Sequence, residues 1–228
     1  MKVNDRLHPS IFHPRYIVLT RLRDLTVAKI EQITAGNSEQ ILVDFGCGDM
    51  PYREVIEPHV GKYLGVDLEM NAKAEHHIDF DSKTTLPDGY ADIILSNQVL
   101  EHVDTYQGYL QESLRLLKPG GVGIFTTHGY WFYHPTPNDY WRWTSAGLRK
   151  VIEAEGFEIQ SFTGVLGLTA AGVQLFQDGI LFKLPKFLRP VWAVLMQFKI
   201  WLADKLHSQI QRDRDAALYV VIARKPLV

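Results

Sequence analysis

Cysteine is almost absent from this chain. Cys47 is the single one in 228 residues, which excludes an internal disulfide and any cysteine-built zinc site. A lone thiol agrees with a reducing compartment, and a cytoplasmic location is expected. Net charge is also scarce: 24 Lys and Arg face 26 Asp and Glu. Without an excess of basic residues, no nucleic-acid partner is expected. No stretch reaches the ~18 uncharged apolar residues that span a bilayer. The opening MKVNDRLHPS has no apolar run after its charges, so a secretory leader is not expected. Internal repeats and low-complexity segments are missing too. Eleven prolines and seventeen glycines are ordinary counts for a globular chain, and the length suits one domain over residues 1–228.

What is present is organised around Ile41–Tyr52, ILVDFGCGDMPY. The apolar run Ile41-Leu42-Val43 marks a strand buried on both faces. Asp44 ends it, and Gly46 and Gly48 follow at two-residue spacing before a helical pattern. A glycine turn between a buried strand and a helix lets backbone N–H groups approach a ligand. A dinucleotide-binding loop has a similar shape, but Pro51 stands where its third glycine would be. Lys62–Asp67 forms the next buried strand and ends in an acid about twenty residues beyond the turn. There the acid can accept hydrogen bonds from a ribose diol.

An N-terminal helical segment, residues 1–36, precedes the first strand, with its helix over Pro14–Gln32. After the second strand, further strands are expected over His76–Phe80, Ala91–Ser96, Val122–Thr127, Phe157–Thr163 and Leu218–Ala223. Helices are expected over Thr105–Leu117 and Ser145–Glu155, with Thr144 as N-cap of the second. Lys118-Pro119-Gly120-Gly121 stops the first of these. Between strands five and six, His128–Trp143 reads HGYWFYHPTPNDYWRW. Pro135 and Pro137 forbid a regular helix or central strand there, leaving an aromatic loop. Residues 164–217 interrupt the last two strands as an insertion, with an apolar helix over Val191–Leu206.

Alternating strands and helices argue for a doubly wound α/β sheet. The motif set resembles that of class I S-adenosylmethionine-dependent methyltransferases, and is most similar to the type 11 group. Asp44-Phe-Gly46-Cys-Gly48 resembles the family's D-x-G-x-G motif, and Val66-Asp67 its ribose acid. Thr85-Leu86-Pro87 through Val99-Leu100-Glu101-His102-Val103 resembles its LP…VLEHV block, and Leu117–Gly121 its LKPGG. The resemblance implies a mostly parallel seven-stranded sheet in the order 3-2-1-4-5-7-6 with strand 7 antiparallel, and a helical insertion between the last two strands. It implies S-adenosyl-L-methionine as cofactor. Asp44 would orient the glycine loop or meet the methionine ammonium, Gly46, Cys47 and Gly48 would let the backbone approach the methionine portion, and Asp67 with Leu68 would bind the ribose. Asp81, with Asp79 as rival, would meet the adenine amino group. Asn97 and Gln98 would floor the sulfonium site. Met50 replaces the family's third glycine. Some relatives hold a metal through an acid and the Glu-His pair, but the acid's position here is Gln98, so no metal is expected.

Methyl transfer needs an aligned acceptor, and a hydroxyl or amine acceptor also needs a base. His128 is the first candidate, followed by His134 and Asp139. His102, Tyr130, Trp131, Tyr140 and Arg142 are the candidate acceptor contacts, the aromatics as an apolar wall and Arg142 as an anion holder. HPTPNDYWRWT resembles a subset of type 11 proteins tied to bacterial surface-polysaccharide synthesis, which points to a small-molecule or glycan acceptor. The competing readings are a non-catalytic cofactor-binding protein on the same fold and a nicotinamide oxidoreductase. The insertion is expected to close the acceptor side, with a homodimer interface second and peripheral membrane contact last.

Overall fold

The computed structural model describes residues 4–227. One seven-stranded sheet runs β3-β2-β1-β4-β5-β7-β6. β1 (Ile41–Phe45) lies between β2 (Lys62–Leu68) and β4 (Ala91–Asn97), parallel to both. β3 (His76–Ile78) adds to β2, and β5 (Leu117–His128) to β4, again in parallel. β7 (Ala216–Arg224) runs antiparallel between β5 and β6 (Glu158–Gly167). The order expected from the resemblance is the order found.

Strand alternation sends successive side chains to opposite faces. Val43 and Phe45 join Tyr109, Leu110, Leu148 and Ile152 on one side, beneath α3 (Tyr106–Leu116) and α4 (Ser145–Ala154). Leu42 joins Leu7, Ile30, Tyr52 and Ile56 on the other, beneath α1 (Tyr16–Thr34) and α2 (Arg53–Ile56). Leu42 is fully buried, so its truncation to alanine costs about 2–5 kcal/mol. The Thr144 hydroxyl caps α4 as expected, accepting from the Gly147 N–H at 3.0 Å.

Several boundaries differ from the sequence reading, by more than end fraying at β3, β5 and β6. β3 stops at Ile78, because Asp79 turns back and its carboxylate accepts from the Lys83 N–H at 2.8 Å. β5 begins at Leu117, so LKPGG ends the helix but continues as extended chain with an irregular register against β4. β6 reaches Gly167. A Cβ on Gly164 would lie 1.9 Å from the Arg212 carbonyl oxygen. That glycine permits close approach inside a strand rather than ending one.

The insertion proper is α5 (Leu168–Leu181), α6 (Arg189–Asp204) and α7 (Gln209–Arg214). The sequence reading saw α6 and missed the other two. α5 and α6 pack with α1 against β6 and β7, sharing Val18, Leu22, Val165, Ala171, Ile200 and Val220. Trp131 of the aromatic loop packs against this same cluster. Among the described residues no helix is long and apolar enough to cross a membrane.

Candidate functional site

The sheet order reverses between β1 and β4, and in open α/β sheets ligands bind at the carboxyl ends of strands at such a reversal. The glycine turn sits there. Gly46 has φ +80°, and a Cβ on it would strike Val99 Cγ1 at 2.6 Å, so the β1 and β4 loops touch. Gly48 has φ +52°, but a Cβ there would meet nothing within 4 Å. Gly46 is therefore glycine for internal packing, while the face of Gly48 is open to a ligand. Met50, in the third-glycine position, still has φ +49°. The loop keeps its left-handed turn despite a side chain that disfavours it.

Asp44 is buried and accepts a short hydrogen bond from the Tyr63 hydroxyl. Burial pushes its carboxyl up to about 7, against the opposing effect of that hydroxyl. A buried carboxyl with one donor suits a cationic group placed beside it. Burial, then the neighbouring carboxylates of Asp44 and Asp67, pushes the Cys47 thiol up, so it stays protonated and packs. Asp67 Oδ2 accepts from the Gly48 N–H at 2.9 Å and from Asn71 Nδ2 at 2.7 Å. Its Oδ1 accepts from the Leu68 N–H at 2.8 Å. The second strand's acid is thus tied to the glycine turn, with Leu68 beside it. Asp81 is exposed, while Asp79 is occupied by its own turn. Of the two rivals, Asp81 has the carboxylate that remains available.

At the end of β4, Gln98 has φ +59°. Its N–H and its Nε2 both reach Thr126 Oγ1 at 3.0 Å, and that hydroxyl donates to Asn97 Oδ1 at 2.8 Å. Met50, Ser82 and Gln98 share positive φ and follow β1, β3 and β4 respectively. Non-glycine residues in this conformation concentrate at ligand sites.

The acceptor side is built on Glu101, which is fully buried. Its Oε2 accepts from the Thr127 hydroxyl at 2.8 Å, and its Oε1 lies 2.7 Å from His128 Nδ1 and 3.7 Å from His102 Nε2. Burial alone would raise this carboxyl; the two imidazoles outweigh it and hold it below its ordinary value. His128 is 4% exposed, stacks on Trp131 and meets the edge of His134. His102 Nδ1 donates to the Asn138 carbonyl, and His134 Nδ1 lies 3.2 Å from the Phe132 carbonyl. Burial and the nearby His128 lower His134. Glu101, His102 and His134 bring one possible ligand atom each within 4.8 Å of one another. These are donor types for a divalent ion, although Glu101 Oε1 is turned to His128.

Two candidates need correction. Arg142 is not free to hold an anion. It pairs with both Asp139 oxygens at 2.6 Å and donates to the carbonyls of Trp131, Phe132 and Trp141. Asp139 is not a poised base. Partial burial would raise its carboxyl, but the Arg142 pair and the His134 N–H hold it well below the carboxylate range. The two residues brace the aromatic loop. Tyr130 turns its hydroxyl to Asp215 at 3.1 Å, whereas the Tyr140 N–H donates to the Glu101 carbonyl at 2.8 Å. Sequence reading missed Glu101 as the partner of His128, Tyr63 on Asp44 and Asn71 on Asp67. Glu101 and His128, and Asp44 and Tyr63, are distant in sequence and meet only through the sheet, while Asn71 meets Asp67 four residues away in the loop after β2.

The family model described as "Methyltransferase domain" matches residues 19–160, more than half of the chain. A probable S-adenosylmethionine-dependent methyltransferase of Mycolicibacterium smegmatis is 24% identical over 139 residues, 54% of each chain. The ubiquinone biosynthesis O-methyltransferase of Nitrosomonas europaea is 26% identical over 123 residues, 48% of this chain and 52% of its own. The chain spans about half the length of these curated relatives. The crystal structure of the [4+2]-cyclase SpnF superposes with a TM-score of 0.58 at 21% identity, over 92% of this chain and 82% of the other. With the sheet order, the glycine turn and the family match in agreement, this chain belongs to the methyltransferase-domain family and has the class I S-adenosylmethionine-dependent methyltransferase fold.

Proposed function

We propose that this protein transfers a methyl group from S-adenosylmethionine to a hydroxyl or amine of a small-molecule acceptor, with His128 as general base. The observation that carries this reading is the buried Glu101–His128 pair at the carboxyl end of β5, on the strand next to β4 and its Gln98 turn. The nicotinamide alternative loses support, because the order 3-2-1-4-5-7-6, with an antiparallel strand inserted before the last, departs from the 3-2-1-4-5-6 order of the dinucleotide fold.

The residues present fit the cofactor. Asp44 receives the methionine ammonium, the open face of Gly48 admits the methionine portion, and Asp67 exchanges its Asn71 contact for the ribose hydroxyls. Asp81 takes the adenine amino group, while Asn97 and Gln98 floor the reacting end. When bound, S-adenosylmethionine supplies an electrophilic methyl group, so the protein needs mainly to align an acceptor and exclude water. The Glu101 carboxylate beside His128 Nδ1 favours a proton on that nitrogen by its charge and leaves Nε2 to accept the acceptor's proton as the new bond forms. Trp131, Tyr140 and His102 line the approach, and His134 covers the imidazole from the side.

A glycan acceptor is the preferred class, because stacked aromatics with few polar groups suit a sugar face. The insertion supports the acceptor side through Trp131 and through Arg15, which sits 4.3 Å over the Phe132 ring and 3.9 Å from Asp178 of α5. Incubation with methyl-labelled cofactor and a panel of nucleotide sugars and lipid-linked glycans tests the reading. Label transfer with S-adenosylhomocysteine release supports it. Cofactor binding without release to any acceptor in native extract favours the non-catalytic alternative.

A further inference from the structure

Helix α6 is built inside out. Its inner face carries Gln197 and Asp204 among Ala193, Met196 and Ile200, all buried. Its outer face continues a ridge of Phe187, Val191, Leu195, Phe198, Leu202 and Leu206, each 52–77% exposed. A helix on a water-soluble domain normally does the reverse. The inner polar groups are fully engaged. Gln197 Nε2 donates to the Pro14 carbonyl at 2.7 Å, and its Oε1 accepts from the Ile17 N–H at 2.8 Å. Gln174 and Gln177 of α5 converge on the same carbonyl. Asp204 accepts from the Gly167 N–H at 2.8 Å and pairs with Arg21. Rotating α6 to hide the ridge would strand all of these groups, so the fold fixes the apolar face outward.

Charge tells what covers that face. Residues 164–207 contain two acids, Asp178 and Asp204, whose side chains are only 7% and 2% exposed. Lys183, Lys186, Lys199 and Lys205 are all exposed, and the Lys205 ammonium lies 3.5 Å over the Trp201 ring. Within residues 164–207 the exposed charges beside the ridge are all cationic. A two-fold contact between copies would set the same lysines against one another, with no exposed acid of this segment to answer them. Aliphatic lysine stems that lie along an apolar surface and end in anionic headgroups satisfy both features.

We propose that the outer face of α6, with the 182–188 turn, seats this protein on an anionic lipid surface. The test is flotation of the full chain with phosphatidylglycerol-containing vesicles and with pure phosphatidylcholine vesicles, at low and high salt. The account expects flotation with the anionic vesicles at low salt, at least about tenfold weaker on neutral vesicles and at high salt. Two double variants at exposed positions, F198E with L202E and K199E with K205E, should both remain at the bottom while melting like the parent. A parent that stays at the bottom overturns the proposal. So does equal flotation of both variants, or a dimer in light scattering that F198E with L202E dissociates and no vesicle binding.

Discussion

His128 Nδ1 lies 2.7 Å from Glu101 Oε1, joining the end of β5 to the turn that follows β4. The two atoms are not aligned as a hydrogen bond, so the buried carboxylate acts on that nitrogen through its charge, favouring a proton there and leaving the other nitrogen for proton transfer. Glu101→Gln should lower kcat on the order of a hundredfold while leaving S-adenosylhomocysteine affinity nearly unchanged. His128→Ala should do the same. Because the pair acts as a unit, the double variant should be no worse than His128→Ala alone. Steady-state kinetics on the cycle decides this, and multiplying losses would separate the two roles.

The two glycines of the turn should respond differently. Gly46→Ala drives a Cβ into Val99 at a positive φ, so it should lower the melting temperature clearly. Gly48→Ala meets no neighbour and should cost only about 1 kcal/mol of backbone strain. Yet it should weaken cofactor binding, because it narrows the face left for the ligand. Equal binding by Gly48→Ala and the parent would place the methionine portion elsewhere.

Asp44 gives a pH dependence with a definite sign. Its folded carboxyl sits at about 7, above its unfolded value. Its stabilising contribution is therefore full below the ordinary carboxylate range and is lost as pH rises through about 7. A bound ammonium favours the ionised form. S-adenosylhomocysteine affinity should therefore rise between about pH 6 and about pH 8, and Asp44→Asn should flatten that rise. Isothermal titration at several pH values measures it, and a pH-independent parent contradicts it.

Much of this architecture was legible in the sequence, because parallel strands buried on both faces write themselves as short apolar runs such as Ile41–Val43 and Ile93–Leu95. The glycine turn and Asp67 were legible for the same reason: each follows its strand directly. The roles of Arg142 and Asp139 were not. An arginine in an aromatic loop reads the same whether it faces a ligand or the loop's own carbonyls. Nor was the direction of α6. An apolar helix reads as buried, and only the contacts of Gln197 and Asp204 show which face turns inward.

The mechanism requires no metal ion, so treatment with a chelator should leave turnover unchanged. Loss of activity restored by zinc or magnesium would instead make Glu101, His102 and His134 a metal centre and move Glu101 away from His128.

The central claim is that the crevice between β1 and β4 holds S-adenosylmethionine, with Asp67 on its ribose. The most direct measurement is a thermal shift of the full chain with S-adenosylhomocysteine and with NAD, in the parent and in Asp67→Ala. The account predicts stabilisation by S-adenosylhomocysteine alone, through mass action on the folded state, and a strongly reduced shift in Asp67→Ala. Stabilisation by NAD without S-adenosylhomocysteine, or an undiminished shift in the variant, would contradict it.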